Sequence, residues 1–79
     1  MITGYTAGTE VKWNEDNSLV TGVIEATYYK PTVVEIEGEP VKVDVSSNSP
    51  TYLIHRLDDG RHCIMAHTDV MLKSTNLHT

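Results

Sequence analysis

The chain has 79 residues, with six Lys/Arg against eleven Asp/Glu and a net charge of -5. That length supports one hydrophobic core and no second, and a domain so small hides only about 60% of the surface its unfolded chain exposes. Cys63 is the single thiol, so no intramolecular disulfide can staple the fold, which fits a reducing compartment. The cations Lys12, Lys30, Lys42, Arg56, Arg61 and Lys73 are scattered along the chain, which does not match the clustered basic footprint of a nucleic-acid binder. No basic stretch precedes an apolar run at the start, and no apolar run approaches membrane-spanning length, so the expectation is a soluble cytoplasmic protein.

Residues 1–8 are rich in Gly and Thr and are expected to be loose, as is the tail from Ser74. Val11 and Trp13 alternate with Glu10, Lys12 and Asn14, the pattern of a half-buried first strand. Asn14 to Ser18 is a dense cluster of turn formers. A long β-rich run follows from Leu19 to Tyr29, with Gly22 inside it, and a glycine there predicts a bulge or bend. Thr32 to Ile36 and Val41 to Val45 read as two further strands about the turn Glu37-Gly38-Glu39-Pro40. A polar turn, Ser46 to Pro50, leads to a hairpin of Thr51–Leu57 and Arg61–Ala66. Its Asp59-Gly60 pair suits a two-residue loop, which would set Leu57 opposite His62 and His55 opposite Ile64. Residues His67 to Leu72 form one predicted helical turn capped by Thr68.

Five or six short strands without a helix must hide their edges, and closing into a barrel does so. The prediction is an all-β fold, a small SH3-like, Tudor-like barrel of five to six antiparallel strands. It is a single domain over residues 1–79 with an ordered core at about 8–72; an OB-type barrel is second choice. On this pattern the sequence speaks far more to fold than to function.

Three constellations could carry chemistry. The rings of Tyr5, Trp13, Tyr28, Tyr29 and Tyr52 could cage a soft cation, although a chain without Phe needs Trp13 and Tyr52 for core bulk. His55, His62, Cys63, His67 and Asp69 could ligate a metal. In the expected hairpin, however, His55 and His62 share a face while Cys63 and His67 point to the other. That alternation also parts Cys63 from His62, so no activated nucleophile results. Glu35, Glu37 and Glu39 read as one solvated acidic face that could also meet a basic peptide.

The order Gly8-Thr9-x-Val11-x-Trp13-Asn14, then Thr21-Gly22-x-Ile24, then Ser46-Ser47-Asn48-Ser49-Pro50-x-Tyr52-x-Ile54, resembles the small Tudor-like domains called hypervirulence-associated. His67 and Leu72 fall where that family carries its last His-containing segment, while Tyr28 to Val45 is longer and richer in valine than the family pattern. The resemblance implies an SH3-like barrel and a binding module, and it implies no catalytic residues. The function expected is therefore a non-enzymatic interaction module for a protein or basic peptide, without metal or cofactor. Tyr28, Tyr29, Glu35, Glu37 and Tyr52 are its expected contacts. The alternatives are nucleic-acid association through Lys12, Lys30, Lys42, Arg56 and Arg61, or homo-oligomerisation through an edge at Val41, Val43 and Val45, the protein being otherwise monomeric.

Overall fold

Alternation along the first two strands places Val11 and Trp13, then Val20 and Ile24, on one side of an antiparallel pair, β1 (Glu10–Glu15) and β2 (Ser18–Tyr28). All four are buried. The computed structural model describes residues 3–73. It continues with β3 (Thr32–Ile36), β4 (Glu39–Val43), β5 (Thr51–Arg56), β6 (His62–Ala66), a 3₁₀ turn (His67–Asp69) and β7 (Met71–Leu72). The expected looseness of the tail from Ser74 lies outside the described residues, as do Met1 and Ile2.

Five strands form one antiparallel sheet in the order β6-β5-β2-β1-β7. Strand β7 returns after the 3₁₀ turn to pair with β1, and this meander is the small SH3-like barrel. Strands β3 and β4 form a separate two-stranded sheet. The long valine-rich middle segment is therefore a hairpin inserted between two barrel strands, β2 and β5.

The core holds Val11, Trp13, Val20, Ile24, Tyr52, Ile54 and Val70, with Tyr5, Cys63 and Met65 packed at its margin. One end is closed by Arg56, whose guanidinium lies 6.0 Å from the Trp13 ring centroid and bonds both carboxylate oxygens of Glu15. Val43 is fully buried yet lies outside this cluster. It belongs to the inward row Val34, Ile36, Val41 and Val43 of the hairpin, whose outward row includes exposed Val33 and Lys42. The valines Val41, Val43 and Val45, expected to be exposed along an edge, are buried or half-buried, and Val45 lies beyond β4; β4 itself pairs only with β3.

Several local expectations also change. The bulge falls at Glu25, where the β2–β5 register skips from Ile24 to Ala26. Gly22 instead permits close approach, because a Cβ there would lie 2.5 Å from Ile54 Cγ2 and 3.0 Å from the His55 carbonyl. The β5–β6 register places His55 opposite His62, so the loop runs over Leu57 to Gly60 and is two residues longer than expected. Asp58 and Asp59 hold this longer loop: each accepts a backbone N–H within it, and both face Arg56. Asp16-Asn17 and Glu37-Gly38 are the two-residue loops of the other hairpins, all four residues at positive φ, as the twist of such hairpins requires. The turn after β6 is a 3₁₀ turn preceded by Ala66 with no side-chain cap, so Thr68 does not cap it.

The start of the chain is tied down from Gly4 onward. Gly4 N–H donates to the Tyr29 hydroxyl, Tyr5 N–H to the Tyr52 hydroxyl, and Gly8 N–H to the Ile24 carbonyl. The Thr27 hydroxyl donates to the Tyr5 carbonyl, which completes a strap across β2.

Candidate functional site

The five expected contact residues divide into two groups. Tyr52 is fully buried and cannot meet a partner. Its hydroxyl accepts the Tyr5 N–H at 3.0 Å and lies 2.6 Å from His67 Nδ1, and burial pushes the phenol above its ordinary pKa. The rings of Tyr5, Tyr52 and His67 sit 5.1–5.8 Å apart, but they gather around a hydroxyl that is already hydrogen-bonded. Trp13 is buried as well, so both rings anchor the core, as expected, and no cage forms around them. The reason is bulk: with no Phe in the chain, the large rings fill the interior. Tyr29 is exposed, its hydroxyl engaged by Gly4, and Tyr28 is half-buried opposite Thr51.

Glu35 and Glu37 belong to a different place. They line a cleft of about 250 Å³ together with Glu25, Ile36, Leu53 and His62. Each element contributes for a local reason. The bulge in β2 breaks the alternation at Glu25. The tight turn after β3 brings Glu37 to the hairpin tip with φ 53°. Glu39 pairs with Ile36 and Glu35 with Pro40, so Glu35 and Glu39 point to opposite faces and the three acids do not share one. The β5–β6 register stacks His62 on His55, with ring centroids 5.2 Å apart and planes 24° apart.

His62 is the polar centre of this cleft. Its Nε2 lies 3.1 Å from Glu25 Oε1, and its Nδ1 lies 3.8 Å from Glu37 Oε2. Sequence reasoning found His62, Glu35 and Glu37 but missed Glu25. The only trace of Glu25 is the lost period-two pattern after Ile24. The cleft thus joins an apolar floor, Ile36 and Leu53, to the carboxylates of Glu25 and Glu37, with Glu35 at its rim.

The other constellations do not assemble. Among the described residues no group of three or more His, Cys, Asp or Glu side chains converges on a metal position. Cys63 pairs with the core residue Ile54, on the face opposite His62, and burial raises its thiol pKa, which keeps the thiol protonated. The basic set is depleted at Arg56, which is bound to Glu15, Asp58 and Asp59. The Arg56 guanidinium holds the Asp58 carboxyl down at about 2 and lowers that of Glu15 as well. A second cleft, of about 480 Å³, lies between Gly8–Glu10, Val23 and Leu72–Lys73, where Lys73 faces Glu10 at 3.7 Å.

A family model described as the Tudor domain of hypervirulence associated proteins matches residues 8–69. The chain therefore belongs to that family. Neither the curated proteins nor the solved structures compared with the chain gave a match.

Proposed function

We propose that this Tudor-family chain is a non-enzymatic interaction module that holds a basic protein segment in the cleft between the β3–β4 turn and the sheet. A single observation carries the reading: Glu25 and Glu37 flank His62 in a cleft floored by Ile36 and Leu53, with Glu35 at its rim. A Lys or Arg side chain has the matching anatomy, an aliphatic stem with a cationic head. The chain's net charge of -5 adds a field that draws such a partner in. Of the contacts expected from sequence, the proposal keeps Glu35 and Glu37, adds Glu25 and does not use the tyrosines.

The test is a backbone amide chemical-shift titration with a Lys-rich peptide, a Glu-rich peptide and a DNA duplex, each at low and high salt. The proposal expects the Lys-rich peptide to move Glu25, Glu35–Glu37, Leu53 and His62. Shifts confined to Lys12, Lys30 and Lys42 on adding DNA, lost at high salt, would transfer the function to nucleic acid. A Lys-rich peptide that moves none of the cleft amides refutes the site.

A further inference from the structure

We infer that His62 is a proton-operated clamp that draws the β3–β4 turn down over this cleft and closes it to a basic ligand as pH falls. The inference rests on the cleft reading above and adds the regulation of that site.

A neutral imidazole has one N–H donor and one acceptor lone pair. Glu25 Oε1 lies 3.1 Å from Nε2 and Glu37 Oε2 3.8 Å from Nδ1, on opposite sides of the ring. A neutral ring, whichever nitrogen carries its proton, therefore has a donor for only one of the two carboxylates. A second ring proton changes that: both nitrogens can then donate, each to a carboxylate, and such charge-assisted pairs are shorter and stronger. One imidazolium then joins the bulge of β2 to the tip of the β3–β4 hairpin.

The backbone at the tip carries an independent sign. Glu37 occupies the left-handed region at φ 53°, in a turn whose first position favours Asn, Asp or Gly. A glutamate there costs some turn stability and gains a carboxylate that reaches His62. The titratable and charged groups facing His62 are Glu25 from β2, His55 from β5, and Glu35 and Glu37 from the β3–β4 hairpin. Three of the four are acids. His55 stacks on the same ring and opposes the imidazolium only when itself charged, so the clamp is strongest with His62 charged and His55 neutral.

In the clamped state the imidazolium occupies the carboxylates that would otherwise meet a Lys or Arg head. Ligand and proton therefore compete for Glu25 and Glu37.

The experiment follows the amides of Glu37, Gly38 and Glu39 by NMR from pH 8 to pH 5.5, first without any peptide. Histidines as a class titrate near 6.5 and glutamates near 4.3, so this window reads imidazoles. The wild-type chain should show one sigmoidal shift at all three amides, with backbone mobility at the tip falling as pH falls. His62→Gln should flatten the curve. Glu37→Asn should flatten it too while keeping an Asn-Gly turn that favours the same hairpin. His55→Gln should leave it in place. Hairpin amides that do not titrate in the wild type, or that titrate equally in His62→Gln, overturn the clamp.

A Lys-rich peptide added to the same samples separates the two readings. Its Kd should rise about fivefold from pH 8 to pH 5.5 in the wild type, the size of one exposed charge-assisted contact, and stay level in His62→Gln. Binding at pH 8 with no pH-dependent loss keeps the cleft and overturns the competition. A titrating hairpin that binds no peptide at pH 8 keeps the clamp and overturns the ligand.

Discussion

Replacing Tyr52 by Phe separates a structural tyrosine from a ligand-binding one. The ring, fully buried, remains; only the hydroxyl is lost. That hydroxyl accepts the Tyr5 N–H at 3.0 Å and meets His67 Nδ1 at 2.6 Å, so two groups lose a partner. A net hydrogen bond contributes about 1 kcal/mol, and leaving a partly buried N–H unpaired adds to the loss, so the expected destabilisation is about 2 kcal/mol. For a domain of this size that lowers Tm by roughly 8–16 °C. Urea unfolding followed by fluorescence gives the free energy; Tyr29→Phe, which removes an exposed bond to Gly4 N–H, serves as control and should cost under about 0.5 kcal/mol. The strap should also loosen in Tyr52→Phe, seen as faster amide exchange at Tyr5 and Gly8. Affinity for a Lys-rich peptide should not change at a temperature where both proteins are folded. A Tyr52→Phe protein of wild-type stability that has lost peptide binding would refute this reasoning and restore Tyr52 to the binding surface.

The remaining predictions concern packing, acid and charge. Gly22→Ala sets a methyl against Ile54 Cγ2 and the His55 carbonyl, and overpacking of this kind should cost about 1–3 kcal/mol by urea unfolding. Asp58 titrates at about 2 in the folded chain against an ordinary 3.8, and Glu15 is lowered too. A depressed folded pKa stabilises above the unfolded value, so that contribution is present above about pH 4 and is lost as pH falls through 2. Acid unfolding read from the single Trp should begin in that window, and Arg56→Met, which removes the guanidinium that causes both shifts, should weaken its dependence on pH. Glu35→Lys should weaken a Lys-rich peptide about threefold to tenfold, measured by calorimetry, while leaving Tm nearly unchanged because the residue is exposed.

The barrel was legible where side chains alternate without interruption. Val11 and Trp13 announce β1, and the run Thr51 to Ile54 announces β5, because period two has one physical meaning when one face is dry. Legibility failed where backbone geometry is decided by contacts from elsewhere. Gly22 and Glu25 are three positions apart, and from sequence either could mark the irregularity; the Ile54 and Trp13 side chains above Gly22 are what require a glycine there. The β5–β6 loop reads as a two-residue turn at Asp59-Gly60 until Arg56 is placed, since its contacts with Asp58, Asp59 and Glu15 favour the longer loop.

The cleft follows the same logic one level higher. Its acids sit on β2 and on the inserted hairpin, and its imidazole sits on β6, so no window of the sequence contains the pattern. Three local features assemble it: a bulge that exposes Glu25, a left-handed Glu37, and a register that puts His62 beside His55. Only the bulge departs from regular strand pairing, and the three meet at one point. A barrel needing only a core would have little use for a glutamate in a left-handed turn or for two carboxylates flanking an imidazole above an apolar floor. The β3–β4 hairpin carries Glu37, which flanks His62, and Glu35, which lines the cleft, so binding should depend on the hairpin. Replacing Lys30–Asp44 by a short Gly-Ser linker tests this, because β1, β2, β5, β6 and β7 pair without β3 or β4. The shortened protein should keep the barrel's amide pattern around Trp13 and Ile54 and lose affinity for the Lys-rich peptide. Retained affinity would place the binding surface on the barrel itself.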